Sequence, residues 1–97
     1  MIFGLFKRKE KDEKLEEIGE VTHYFPHVKA AVIKIKEGTL SIGDVVRIKG
    51  HTTDFREKVT SLQINHKPIT RATKSKEIGL KVKKRVREGD KVYKIKD

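Results

Sequence analysis

Histidine, serine and the basic side chains are the residues through which this sequence could do chemistry. His23 and His27 stand four apart, a spacing that on a helix would turn both imidazoles to one face as two zinc ligands. The surrounding stretch instead alternates like a strand and is interrupted by Pro26, and neither a cysteine nor a close carboxylate completes a site. No metal and no cofactor are expected. Ser41, Ser61 and Ser75 lie in ordinary strand or loop contexts, without the Gly-x-Ser-x-Gly spacing that lifts a nucleophile onto a tight elbow. No Gly-x-x-x-x-Gly-Lys-Ser/Thr phosphate loop occurs either, so GTP hydrolysis by that route is excluded. The chain is expected to bind rather than to catalyse.

Binding leads to the cations. Between residues 65 and 87 the sequence sets Lys67, Arg71, Lys74, Lys76, Lys81, Lys83, Lys84, Arg85 and Arg87 against the single acid Glu77. Lys81 and Lys83 alternate with Leu80 and Val82, so a strand here would turn its ammonium groups outward and its aliphatic groups inward. Such a ridge suits a phosphate backbone, and Tyr24 could stack on bases beside it. These ten residues form the candidate RNA-binding set, with ribosomal or transfer RNA, or the ribosome, as the expected partner.

The elements that would position them read as strands. With 97 residues there is room for one domain, and 35% hydrophobic residues supply one thin core. Net charge is +10 and unevenly placed: residues 7–17 carry five basic and five acidic side chains, leaving 19 basic against 9 acidic for residues 18–97. Residues 1–17 read as a charged leader, flexible or briefly helical, and residues 18–97 as the folded domain. The opening Met1, Ile2, Phe3, Leu5 and Phe6 fall far short of the roughly 20 apolar residues of a membrane span. They lack the form of a signal peptide and could seat in a groove on a protein partner or, too small for stable anchoring, at an anionic membrane surface. With no cysteine, nothing points to an oxidising compartment, and a cytoplasmic location is expected.

From Ile18 the pattern has period two, broken by Gly, Asp, Asn and Pro. Strands are expected near 18–25, 28–36, 45–50, 55–65, 77–84 and 91–96, with short ones near 39–42 and 69–72. The core is assigned to Val21, Val32, Val46, Ile48, Val59, Leu62, Ile64, Ile78, Leu80, Val82, Val86 and Val92, with a bulge or bend expected in the second strand. Gly43-Asp44 and Gly89-Asp90 are matching turn signals, in which Gly takes positive φ and Asp bonds nearby amides. They read as shared turn chemistry, not as an internal repeat. A sheet this small, left open, would expose two edges, so closure into a barrel is expected.

The order of these elements resembles a known family. Gly38-Thr39-Leu40-Ser41-Ile42-Gly43-Asp44, running on to Gly50, is similar to the centre of domain two of elongation factor Tu. Lys58 to Ile64, Pro68 to Ala72, Ile78 to Val82 and Glu88 to Tyr93 resemble its later segments in the same order, over Ile18 to Ile95. The resemblance implies a small closed antiparallel Greek-key β-barrel, a translation elongation factor-like protein standing without a GTPase. Its function would be non-enzymatic binding of RNA or the ribosome through the basic face. The glycine-rich loop that helps hold the aminoacyl end in that family reads here Tyr24-Phe25-Pro26-His27-Val28, and the family glycine before the Val-Gly-Ile strand is Ser75, so aminoacyl-end contact is not implied. A similar barrel is appended to collagenase-like peptidases. That likeness implies the alternative, a protein-interaction adaptor with no RNA role, whose basic surface only keeps it soluble.

Overall fold

Alternation of apolar and polar side chains sets ten strands in the structure, a computed structural model that describes residues 14–74 and 76–96, and those residues include no helix. In chain order they are β1 (Lys14–Phe25), β2 (Ala30–Ile35), β3 (Thr39–Ser41), β4 (Val45–Lys49), β5 (Asp54–Lys58), β6 (Leu62–Ile64), β7 (Lys67–Ile69), β8 (Arg71–Thr73), β9 (Glu77–Lys81) and β10 (Lys91–Lys96). Lys14 to Glu17, read from sequence as the end of the leader, already pair with β10. The rest of the leader, with its apolar tip, lies outside the described residues.

The chain is all-β, but the expected closed Greek-key cylinder is not formed. Eight strands make one sheet in the order β5-β4-β10-β1-β2-β9-β6-β7, and β3 and β8 pair as a separate two-stranded ribbon. Every ladder is antiparallel, and none joins β5 to β7. The two edges are built against further pairing. Pro68 in β7 has no N–H to offer a neighbour, and β5 carries the exposed charges Asp54, Arg56 and Lys58. The sheet and the ribbon nevertheless enclose one core, since Leu40 of β3 and Ala72 of β8 join the same buried cluster as Ile18, Ile33, Ile48, Leu62, Leu80 and Val92.

Several expected strands stop early because backbone groups are taken by other loops. The stretch 55–65 divides at Val59, which turns away to bond Gly43 and Asp44, and 77–84 ends at Lys81, because the Val82 amide donates to the Lys29 carbonyl (2.9 Å). The expected strand from residue 28 begins at Ala30, after a turn over 26–29 in which Lys29 has φ 52°. The bulges fall in β1, not in the second strand, at Glu17/Gly19 and Val21/His23. In β2 it is Ala31, Ile33 and Ile35 that are fully buried, whereas Val32, assigned to the core from sequence, is only half-buried, as is Ile64.

The two Gly-Asp turns share one geometry. Asp44 accepts the Ser41 amide and Asp90 the Arg87 amide, each at 2.9 Å from a carboxylate oxygen. In return the Asp44 and Asp90 amides donate to the Ser41 and Arg87 carbonyls, each at 3.1 Å. Gly43 and Gly89 supply φ of 97° and 92°, which side chains rarely adopt. Each turn then clamps a buried valine by two backbone bonds of 2.8 Å: Val59 between Gly43 and Asp44, Val21 between Gly89 and Asp90. The correspondence goes beyond the turns. β4 and β10 pair so that Val46 faces Lys94 and Ile48 faces Val92, a register that maps onto itself when one turn is laid on the other. The backbone thus carries an approximate two-fold relation of which the sequence keeps little more than Gly-Asp-x-Val.

Gly50 shows what the second clamp requires. The Asp90 carboxylate occupies the space a β-carbon at Gly50 would fill, so the buried acid reaches Arg87 only because residue 50 has no side chain. On the surface, Glu20 of β1 accepts from Lys36 (2.6 Å) and Lys91 (3.4 Å), tying β1 to the end of β2 and to β10. The Lys36 hydrogen bond and charge hold its carboxyl below the usual carboxylate range. That contribution is complete above the ordinary carboxylate pKa and is lost as pH falls through the lowered value.

Asp90→Ala is expected to cost about 1–3 kcal/mol, because it orphans a backbone donor and empties a buried site; Asp44→Ala, half-exposed, should cost less. Urea unfolding followed by circular dichroism measures both. Equal or negligible losses would refute the clamp's role.

Candidate functional site

Three loops meet at one end of the sheet because the segment Val82–Asp90 is laced along the β1–β2 hairpin. At the hairpin tip the Val82 amide bonds the Lys29 carbonyl; further down, His23 Nδ1 lies 3.2 Å from Glu88 Oε2; below that, Gly89 and Asp90 clamp Val21. The β4–β5 loop joins through Arg87, whose Nε donates to Thr52 Oγ1 (2.9 Å), and through Gly50 beneath Asp90. The tip is held firmly, since the Lys29 amide also closes the turn onto the Pro26 carbonyl (3.3 Å).

The structure divides the nine cations expected to form one ridge. Lys81, Lys83, Lys84, Arg85 and Arg87 follow the hairpin at this end. Lys74 and Lys76 instead precede β9, with Lys74 3.9 Å from Glu37, while Lys67 lies in the edge strand β7 and Arg71 in the ribbon strand β8 opposite Ser41. Lys76 precedes β9 and Lys81 ends it, so they stand about 17 Å apart at ~3.3 Å per residue. A run continuous in sequence is therefore divided in space. Glu57 enters the first group from β5, its carboxylate accepting the Lys83 amide at 2.7 Å.

Tyr24 is not the exposed aromatic. Its side chain packs against the core, and Phe25 stands 48% exposed in its place. The cause is the bulge at Thr22: Val21 pairs with Ile33 and His23 with Val32, so the inward phase passes from Val21 to Tyr24. Strict alternation from Val21 would have put Phe25 inside. The Phe25 ring rests on His23, centroids 4.4 Å apart and planes at 60°, and Val28 at the tip is 57% exposed. Phe25, Val28 and Lys29 are candidate site residues that sequence reasoning missed. The signal that could have found them is Pro26, which ends the strand and lifts its neighbours onto a turn.

Among the described residues no group of three or more His, Asp or Glu could hold a metal, and Ser41 is committed through its backbone to Asp44. No helix among them is long and apolar enough to cross a membrane. What the loop cluster offers is an apolar tip inside a cationic rim, a surface for binding.

No family model matches the sequence. The chain is 43% identical over 82 residues, 84% of its length, to an uncharacterized protease of Methanocaldococcus jannaschii. It is 35% identical over 79 residues to a collagenase of Porphyromonas gingivalis. It spans about a fifth of the length of these curated relatives (20% and 22%). Among solved structures, the C-terminal domain of a Geobacillus thermoleovorans protein assigned to the U32 peptidases superposes with a TM-score of 0.75 at 20% identity, covering 81% of this chain and 91% of that domain. Its selenomethionine variant matches with the same TM-score at 19% identity. The chain therefore has the fold of that peptidase C-terminal domain, and its relatives are proteases, not translation factors.

These findings correct the elongation factor reading, and the expected roles in translation, RNA binding and the ribosome fall with it. The physical reason lies in the motifs that carried the resemblance. They encode Gly-Asp turns and short strands, and turn geometry recurs in β-domains of unlike function. The alternative, a barrel-type domain of the kind appended to collagenase-like peptidases, is the one these relatives support.

Tyr24→Ala is expected to cost about 1–3 kcal/mol, whereas Phe25→Ala should stay within about 0.5 kcal/mol of the parent. Thermal and urea unfolding of the two variants compare them. Equal costs would show that the bulge does not set which aromatic faces the core.

Proposed function

We propose that this chain is a non-catalytic accessory module of the peptidase type, which acts by docking on protein. The observation that carries the reading is the pairing of 43% identity over most of the chain with coverage of only a fifth of the protease it resembles. A segment that small, with the fold of a C-terminal domain, fits an appended unit that positions a partner or substrate, leaving the chemistry to the remaining four-fifths. The side chains agree. The loop end carries apolar and cationic groups suited to a protein surface. The absence of cysteine fits a reducing compartment, and the cytoplasm is the proposed location.

The test mixes this chain with the Methanocaldococcus jannaschii protease from which the matching fifth has been deleted. Co-elution in gel filtration at micromolar concentrations is expected, as for interfaces between domains of one polypeptide. The chain alone should release no peptides from gelatin. Separate elution would overturn docking on the protease, and gelatin cleavage by the chain alone would overturn the non-catalytic assignment.

A further inference from the structure

We infer that the end of the molecule formed by Phe25–Lys29 and Lys81–Arg85 is the docking site, and that it takes an acidic stretch of polypeptide bearing an exposed apolar side chain. The inference rests on the docking-module reading above and names the partner's chemistry. Two of the three large hydrophobic residues left exposed among the described residues, Phe25 and Val28, stand within four positions of each other on this hairpin. Lys29 shares their turn, Lys81 pairs with Ala30 next to it, and Lys83, Lys84 and Arg85 follow Val82, which bonds Lys29; the side chains of these five make no ion pair among the described residues. Two acids stand in the same cluster, Glu88 against His23 and Glu57 accepting the Lys83 amide, so five cations face two carboxylates and the cluster is basic in balance. An apolar centre within a rim of net positive charge matches the anatomy of a protein interface, in which buried anchors supply affinity and rim charges supply steering and orientation.

The surface is also prepared for binding. The Val82–Lys29 backbone bond, the 26–29 turn and the Phe25–His23 ring contact fix the anchors before a partner arrives, which lowers the entropy lost on association. Charge selects the occupant. A second copy of this chain would bring the same rim and a net charge of +10 against it, whereas an acidic segment neutralises five cations. Two apolar side chains are too small an area to anchor the chain stably on a lipid surface.

The test titrates the full chain into a fluorescent peptide of Asp and Glu carrying one central Leu-Phe pair, and reads anisotropy. Saturable binding is expected. It should weaken about tenfold or more in the double variant Phe25→Ser/Val28→Ser, and by a similar factor in the triple variant Lys83→Gln/Lys84→Gln/Arg85→Gln. All five positions are exposed, so unchanged circular dichroism and melting serve as the folding control. A peptide with Gly-Gly in place of Leu-Phe should bind at least as poorly as the wild-type peptide binds the double variant. The site is overturned if neither variant moves the affinity by more than about twofold, or if the Gly-Gly peptide or polyphosphate binds as well as the Leu-Phe peptide. Gel filtration with the truncated protease separates this from the reading it rests on. A protease complex that survives both variants overturns this site alone. Peptide binding that obeys both variants without any protease complex upholds the site and overturns only that protease as its partner.

Discussion

Two carboxylates, each accepting a backbone amide three residues upstream, fix the parts of this molecule that the rest is hung upon. Asp44 and Asp90 stiffen their turns, the turns grip Val59 and Val21, and those grips decide where β5 ends and how β1 enters the core. A thin domain with few large apolar residues gains little from packing alone. Each short turn that holds two distant segments in register therefore replaces burial that the chain is too small to provide.

The same device arranges the loop end. Gripping Val21 lays the segment after β9 along the hairpin, with Val82 bonded at Lys29 and Glu88 at His23, so that Lys83, Lys84 and Arg85 lie on the stretch between those two contacts. Without it these residues would be an ordinary solvated connection between β9 and β10. The remaining cations lie elsewhere, Lys67 in β7, Arg71 in the β3–β8 ribbon, and Lys74 and Lys76 before β9, where Glu37 stands within reach of Lys74. Charge on this surface is divided by topology, and the half adjoining the hairpin is the half that also carries exposed apolar groups.

Much of the fold was legible in the sequence because alternation and Gly-Asp turns are local signals. β4 and β10 fall where the pattern puts them, β9 starts where expected, and both aspartates do what turn chemistry requires. The bulges were not legible, because an extra residue at Thr22 leaves composition and propensity untouched while exchanging the roles of Tyr24 and Phe25. Sheet closure was also beyond local reading. It depends on whether β5 and β7 meet, and Pro68 and the charges of β5 weigh against that only once those strands are known to be the edges. The basic run misled for a related reason: nearness in sequence was taken for nearness in space, and a strand within the run separates its ends. Motifs made of turns likewise describe geometry well and occupation poorly.

The contact of Asp90 with Gly50 has a consequence for how such a chain can change over time. The carboxylate fills the volume that any β-carbon at residue 50 would claim, so the two positions form one character, not two. A side chain can enter at 50 only in a molecule that has already surrendered its acid at 90, and that intermediate lacks the carboxylate bond to the Arg87 amide that stiffens the turn holding Val21. Drift at this pair must therefore cross a less stable ancestor, and related chains should retain or abandon both residues together.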